Sequence, residues 1–107
     1  MMSKRANQGE VVTVRELQIL GHMKLRLLFS DGVVRELDLS PMLTGPAFTR
    51  HRTDEAFFSR ARVLYGTVTW PDDSDLDPVV LHGDELPAHG EGPRVLGESD
   101  PSSVQAS

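Results

Sequence analysis

No cysteine occurs among the 107 residues, which removes disulfide frameworks, thiolate metal sites and cysteine nucleophiles from consideration. The absence fits a reducing compartment. Long hydrophobic runs are missing too: no stretch approaches the roughly 18 apolar residues that cross a bilayer. The opening MMSKRANQGE lacks the apolar centre of a signal peptide, so a cytoplasmic protein with no membrane segment is expected. There is no basic excess either, since the formal charge is −5. Residues 11–83 carry eight Lys or Arg against ten Asp or Glu, and residues 84–107 carry five acids against Arg94 alone. A body without surplus positive charge is a poor start for phosphate-driven nucleic-acid binding.

What is present reads as one small domain, with a flexible leader over 1–10 and a body over 11–83. The stretch VVTVRELQIL alternates, but Val12 and Val14 have one parity and Leu17 and Ile19 the other. That phase change predicts a bulge near Arg15 and Glu16. From His22 to Phe29, Met23, Leu25, Leu27 and Phe29 point one way and His22, Lys24 and Arg26 the other, a half-buried strand. Val33 to Leu39 follows, with Arg35 intruding on its apolar face. Asp31-Gly32 suggests a two-residue hairpin turn, yet that register would set Leu25 against Asp38. A three-residue loop over Ser30, Asp31 and Gly32 pairs Phe29 with Val33, Leu25 with Leu37 and Met23 with Leu39. Cross-strand partners share a face, so the second register is the expected one, with Gly32 left-handed.

Ser40-Pro41-Met42-Leu43 fits one helical turn capped by Ser40, and Thr53 reads as the N-cap of a helix from Asp54 to about Ala61. Arg62–Tyr65 is extended, Gly66 turns the chain, and Thr67–Trp70 forms the last strand. The fold class is therefore α+β: a small curled antiparallel sheet of about four strands under one short covering helix. Residues 84–107, rich in proline, glycine and acids, read as a disordered acidic tail.

The densest charge lies in GTVTWPDDSDLDPVVLHG, residues 66–83, around the lone Trp70. Asp73, Asp75 and Asp77 have the odd spacing of a calcium loop, but Pro78 stands where that loop needs glycine, so no metal is expected. Asp77-Pro78 reads instead as an N-cap and first helical position, with Asp75 bracing main-chain N–H groups. Trp70 is either core or an exposed anchor beside Pro71. His22, His51, His82 and His89 show no ligand spacing and read as surface residues. Arg50, Arg52, Arg60 and Arg62, with His51, form the one basic cluster, a candidate contact for phosphate, an acidic partner or the acidic tail. No serine stands in a nucleophile context, so no enzyme and no cofactor are expected; a hydrolase would need a closed pocket uniting Asp75, Asp77 and His82.

Two stretches together, FSDGVVRELDLSPML and GTVTWPDDSDLDPVVLH, resemble the bacterial domain-of-unknown-function family 2442. Its members show F-S/T-D-G, then V-R-x-F/L-D, then G-P-x-F, then G-T-I/V-x-W-P-N/D-G-x-D-L/I-x-P. These correspond here to Phe29–Gly32, Val34–Asp38, Gly45–Phe48 and Gly66–Pro78. One departure is Asp73-Ser74, where members often carry glycine and then a small residue, so the turn after Trp70 is where the backbone would differ. The resemblance covers about residues 11–83 and implies a small α+β domain, some of whose relatives are linked to toxin–antitoxin pairs. The expected function is a non-catalytic protein-interaction module, antitoxin-like toward a small toxin. Trp70, Pro71, Asp72, Asp73 and Asp75 form its candidate docking surface. Nucleic-acid binding through the arginines is the alternative, and a homodimer through a sheet edge is a further expectation.

Overall fold

Three hairpin-connected strands carry the core. β1 (Val14–Gly21), β2 (Lys24–Phe29) and β3 (Val34–Asp38) pair antiparallel in that order in the computed structural model, which describes residues 12–85, 87 and 91–99. The leader over 1–10, His89 and residues 100–107 of the tail lie outside the described residues. Leu25, Leu27, Phe29, Leu37 and Leu39 are at most 1% exposed, while Lys24, Arg26 and Glu36 take the other face. Each such side chain contributes on the order of 1.5–3 kcal/mol by leaving water.

The β2–β3 register is the three-residue one. Leu25 faces Leu37, Phe29 N–H donates to Val33 O at 2.8 Å, and Leu39 N–H donates to Met23 O at 2.7 Å. Gly32 N–H closes the turn on Phe29 O, with Gly32 at φ 90°. The bulge in β1 is present as well, because the pairing with β2 slips between Val14 and Glu16. That slip turns both Val14 and Leu17 toward the core despite their opposite parity. The first turn differs from expectation. His22 and Met23 form the β1–β2 connection and β2 begins at Lys24, with Met23 at φ 68° and buried.

The covering layer is more broken than one helix. A 3-10 turn (Pro46–Phe48) leads into α1 (Thr49–Thr53) and α2 (Glu55–Phe58). Thr53 does not cap α2: it ends α1, its hydroxyl donating to Thr49 O at 2.9 Å. Asp54 is extended and accepts from Phe57 N–H at 3.1 Å, so the cap falls one residue later. The turn after β3 is likewise capped by Asp38, which accepts from Ser40 N–H, rather than by Ser40.

β4 (Arg62–Leu64) and β5 (Thr67–Thr69) pair with each other and stand apart from the main sheet. The fourth strand of that sheet is β6 (Arg94–Ser99), antiparallel to β3. Two expectations change here: Thr67–Trp70 is not the fourth strand, and Arg94–Ser99 of the supposed disordered tail is extended and paired. The reason is length. β5 has three residues, all buried, and serves the core by depositing Val68 and Trp70 in it, whereas β3 has a full open edge for another strand to pair with. α3 (Pro78–His82) comes next after β5, capped by Asp77 as expected, with Asp77 accepting from Val79 N–H at 2.9 Å.

Candidate functional site

The loop after β5 is built from beneath by buried rings. Trp70 is 0% exposed and its indole N–H donates to Phe58 O at 3.0 Å. The exposed-anchor reading of Trp70 is therefore corrected: its ring is core, and the neighbouring Pro71, Asp72 and Asp73 reach the surface in its place. His51, expected at the surface, is 0% exposed too. Its ring lies edge-on to Phe48, Phe57 and Trp70 at 5.0, 5.0 and 4.6 Å.

From that ring a polar chain runs outward. His51 Nε2 is 2.9 Å from Ser74 Oγ, and Ser74 Oγ is 2.6 Å from Asp72 Oδ1, which also accepts Ser74 N–H. The hydroxyl has one proton, and the short contact to a carboxylate claims it. His51 Nε2 must then carry a proton and donate, leaving Nδ1, which has no partner, as a bare lone pair. A pair so polarised cannot draw a proton from Ser74, so it braces the loop instead of activating a nucleophile. Burial pushes the His51 imidazole below its ordinary value, Asp72 opposing and Arg50 and Arg52 reinforcing. The Ser74 hydroxyl holds the Asp72 carboxyl below the carboxylate range.

Above the brace, the chain turns tightly. Asp73 N–H donates to Trp70 O at 2.9 Å and Trp70 N–H to Ser74 O at 3.0 Å. Gly32 N–H to Phe29 O and Phe29 N–H to Val33 O repeat this pattern, so the two turns are the same motif, with Asp73 at φ 70° where the other has glycine. Pro71, Asp72, Asp73 and Asp75 are all exposed on one short rim. Asp72, not Asp75, is the residue that accepts from the loop's main chain.

The arginine cluster does not form one open patch. Arg52 spends its guanidinium on Leu43 O and Gly45 O at 3.1 and 2.8 Å. Arg50 lies 4.3 Å over the Phe57 ring and 3.9 Å from Asp54, while Arg60 and Arg62 are exposed. The acid Glu98 of β6 approaches Arg35 rather than these arginines. His82 is also unlike its expected surface role. Its ring packs on Phe29, and its two nitrogens face Asp84 and Asp31 at 2.9 and 2.8 Å. Its carboxylates are thus not Asp75 and Asp77, and the three residues a hydrolase would need together are not joined. Among the described residues no three His, Asp or Glu are grouped to hold a metal. A groove of about 190 Å³ lies on β1–β3 around Gln18, Arg26 and Leu28, away from the loop.

By sequence reasoning His51 falls at the surface in the basic cluster, and Ser74 and Tyr65 have no role. Tyr65 is 95% exposed at φ 53°, at the tip of the β4–β5 hairpin with Gly66. The D-x-S spacing of Asp72 and Ser74 was the one local signal for the brace.

Fold and loop together define a small α+β domain with an acidic turn hydrogen-bonded over a buried tryptophan. Residues 14–83 match the family described as "Protein of unknown function (DUF2442)", and the chain belongs to it. No curated protein and no solved structure matches the chain.

Proposed function

We propose that this chain is a non-catalytic protein-interaction module that docks a partner on the rim formed by Pro71, Asp72, Asp73 and Asp75. The observation that carries the reading is the brace. An exposed acidic turn is held in one shape by Trp70, His51 and Ser74, so little conformational freedom is lost on docking. The partner surface is basic, and association is steered and weakened by salt. The finer identification of that partner as a small bacterial toxin rests on the family resemblance alone. Arg52, engaged with main-chain carbonyls, gives the nucleic-acid alternative no support.

The test replaces charge without changing shape. Asparagine tolerates positive φ, so Asp73→Asn/Asp75→Asn keeps the turn. Immobilised full-length chain is expected to retain a basic protein from its native cell extract that elutes with salt and that the double variant fails to retain. Equal retention by both chains would refute the rim as the docking surface.

A further inference from the structure

The family match ends at residue 83, and β6 lies beyond it. Within the matched region β3 is therefore an edge strand, and its cover comes from a later segment connected through residues 84–93. That cover fits poorly. Five of the six β6 residues are exposed, Val95 and Leu96 by 45% and 47%. The register slips between Glu36 and Leu37, which leaves Leu96 without a partner on β3. Arg35 is 8% exposed and donates through Nη1 to Leu81 O at 2.7 Å. Its Nε is buried with no acceptor, because Glu98 Oε1 on β6 stops at 3.7 Å. A buried cationic N–H without a hydrogen bond is costly, so a better-placed carboxylate would gain.

We infer that the β3 edge is a strand-accepting site that β6 covers in cis, and that its trans occupant is an extended segment of a partner protein. That segment runs antiparallel to β3 with a carboxylate opposite Arg35 and an apolar side chain opposite Leu37. The inference rests on the interaction-module reading and names a second surface for it. β6 is the template for the complementarity: Arg94 stands opposite Asp38, Val95 opposite Leu37 and Glu98 opposite Arg35. A partner segment without the extra residue brings its acid to about 2.8 Å from Nε and pairs without a slip. β6 protects its own outer edge with Arg94, Glu98 and the bulge, so an incoming strand replaces it instead of adding outside it.

The test uses the full-length chain. Val95→Pro/Leu96→Pro releases β6, since at the bulge at least one of these two N–H groups faces β3 and proline removes both. The probe is a fluorescent peptide copying residues 92–99, read by anisotropy. It is expected to bind the released variant and to bind wild type at least about tenfold more weakly, because tethered β6 competes at an effective concentration on the order of millimolar. A peptide lacking Leu96 should bind more tightly than the copy, and Glu98→Gln in that shortened peptide should lose about tenfold. No binding to a folded variant, or equal binding to both chains, overturns the proposal. Should the variant not fold, hydrogen exchange on wild type decides: β6 amides are expected to exchange at least about tenfold faster than those of β2, and equal rates overturn it. A wild-type dimer that grows with concentration and vanishes on release assigns the edge to a second copy and overturns the partner claim. A cellular protein retained equally by wild type and released variant overturns the β3 assignment while the module reading stands. Peptide binding as expected with no cellular partner supports the edge and sinks the module reading.

Discussion

Gly83→Ala tests the wall that Arg35 builds behind α3. Gly83 ends the helix at φ 96°, its N–H donating to Val80 O and the Asp84 N–H to Val79 O, a Schellman closure. A Cβ there costs about 1 kcal/mol from backbone conformation alone. It would also stand 2.7 Å from Arg35 Nη1, closer than Cβ contacts come, and a tight 3.2 Å from Cζ. The guanidinium cannot swing freely, since Arg35 is 8% exposed and Nη1 is held by Leu81 O at 2.7 Å. Displacing it forfeits a hydrogen bond from a charged donor, about 1.5–3 kcal/mol. The sum is about 3 kcal/mol, a large share of a stability that for domains of this size is about 5–15 kcal/mol. Urea unfolding followed by fluorescence of the buried Trp70 measures it. The decisive comparison is Gly83→Ala in an Arg35→Met background, where only the backbone cost of about 1 kcal/mol should remain, giving a coupling of about 2 kcal/mol. An equal cost in both backgrounds would show that Arg35 is not what forbids a side chain at residue 83.

The loop yields two more expected outcomes. Asp73→Gly relieves a positive φ of 70° and is expected to raise the melting temperature by about 2–4 °C, corresponding to roughly 0.5 kcal/mol after the extra freedom of glycine in the unfolded chain; an unchanged or lower value contradicts the shared-turn geometry. His51 is buried with its imidazole held below the ordinary 6.5, so the unfolded chain binds the proton more readily. Stability contributed this way is complete above pH 6.5 and is lost as pH falls from there through the folded value. His51→Phe, which keeps the ring among Phe48, Phe57 and Trp70, should flatten the decline between pH 6.5 and 5 in urea titrations, and a slope as steep as wild type would disprove the assignment.

The hairpin register, the bulge near Arg15 and the Asp77-Pro78 cap were legible because each is decided within about ten residues. Parity of Leu25 and Leu37 excludes the competing turn without knowledge of anything else in the molecule. The fourth strand was not legible. Thr67–Trp70 looks more like a strand than Arg94–Ser99, which has one glycine, two charges and Pro93 just before it. Pairing with β3 overrides that weak local preference, since it satisfies backbone groups that β3 would otherwise leave unpaired by protein. Helix boundaries slipped for a related reason. Thr53 and Asp54 are both good caps, and only the α1 hydrogen bond from Thr53 to Thr49 decides between them.

The site divides along the same line. His51 reaches Ser74 across 23 positions, and Arg35 reaches Leu81 across 46. Alternation puts Arg35 on the apolar face of its strand but does not give its partner, and nothing adjacent to His51, between Arg50 and Arg52, marks it as buried. The four aspartates of the loop can nevertheless be sorted once those contacts are known. Asp77 caps α3 and Asp72 holds Ser74, so the fold accounts for both. Asp73 and Asp75 make no side-chain hydrogen bond or ion pair among the described residues, and Asp73 occupies a conformation that glycine adopts at lower cost. Two like charges on an exposed turn repel each other and return nothing to stability. Under the proposed docking function these two carboxylates are the ones left for the partner, so Asp73 and Asp75 are the pair whose neutralisation separates docking from folding.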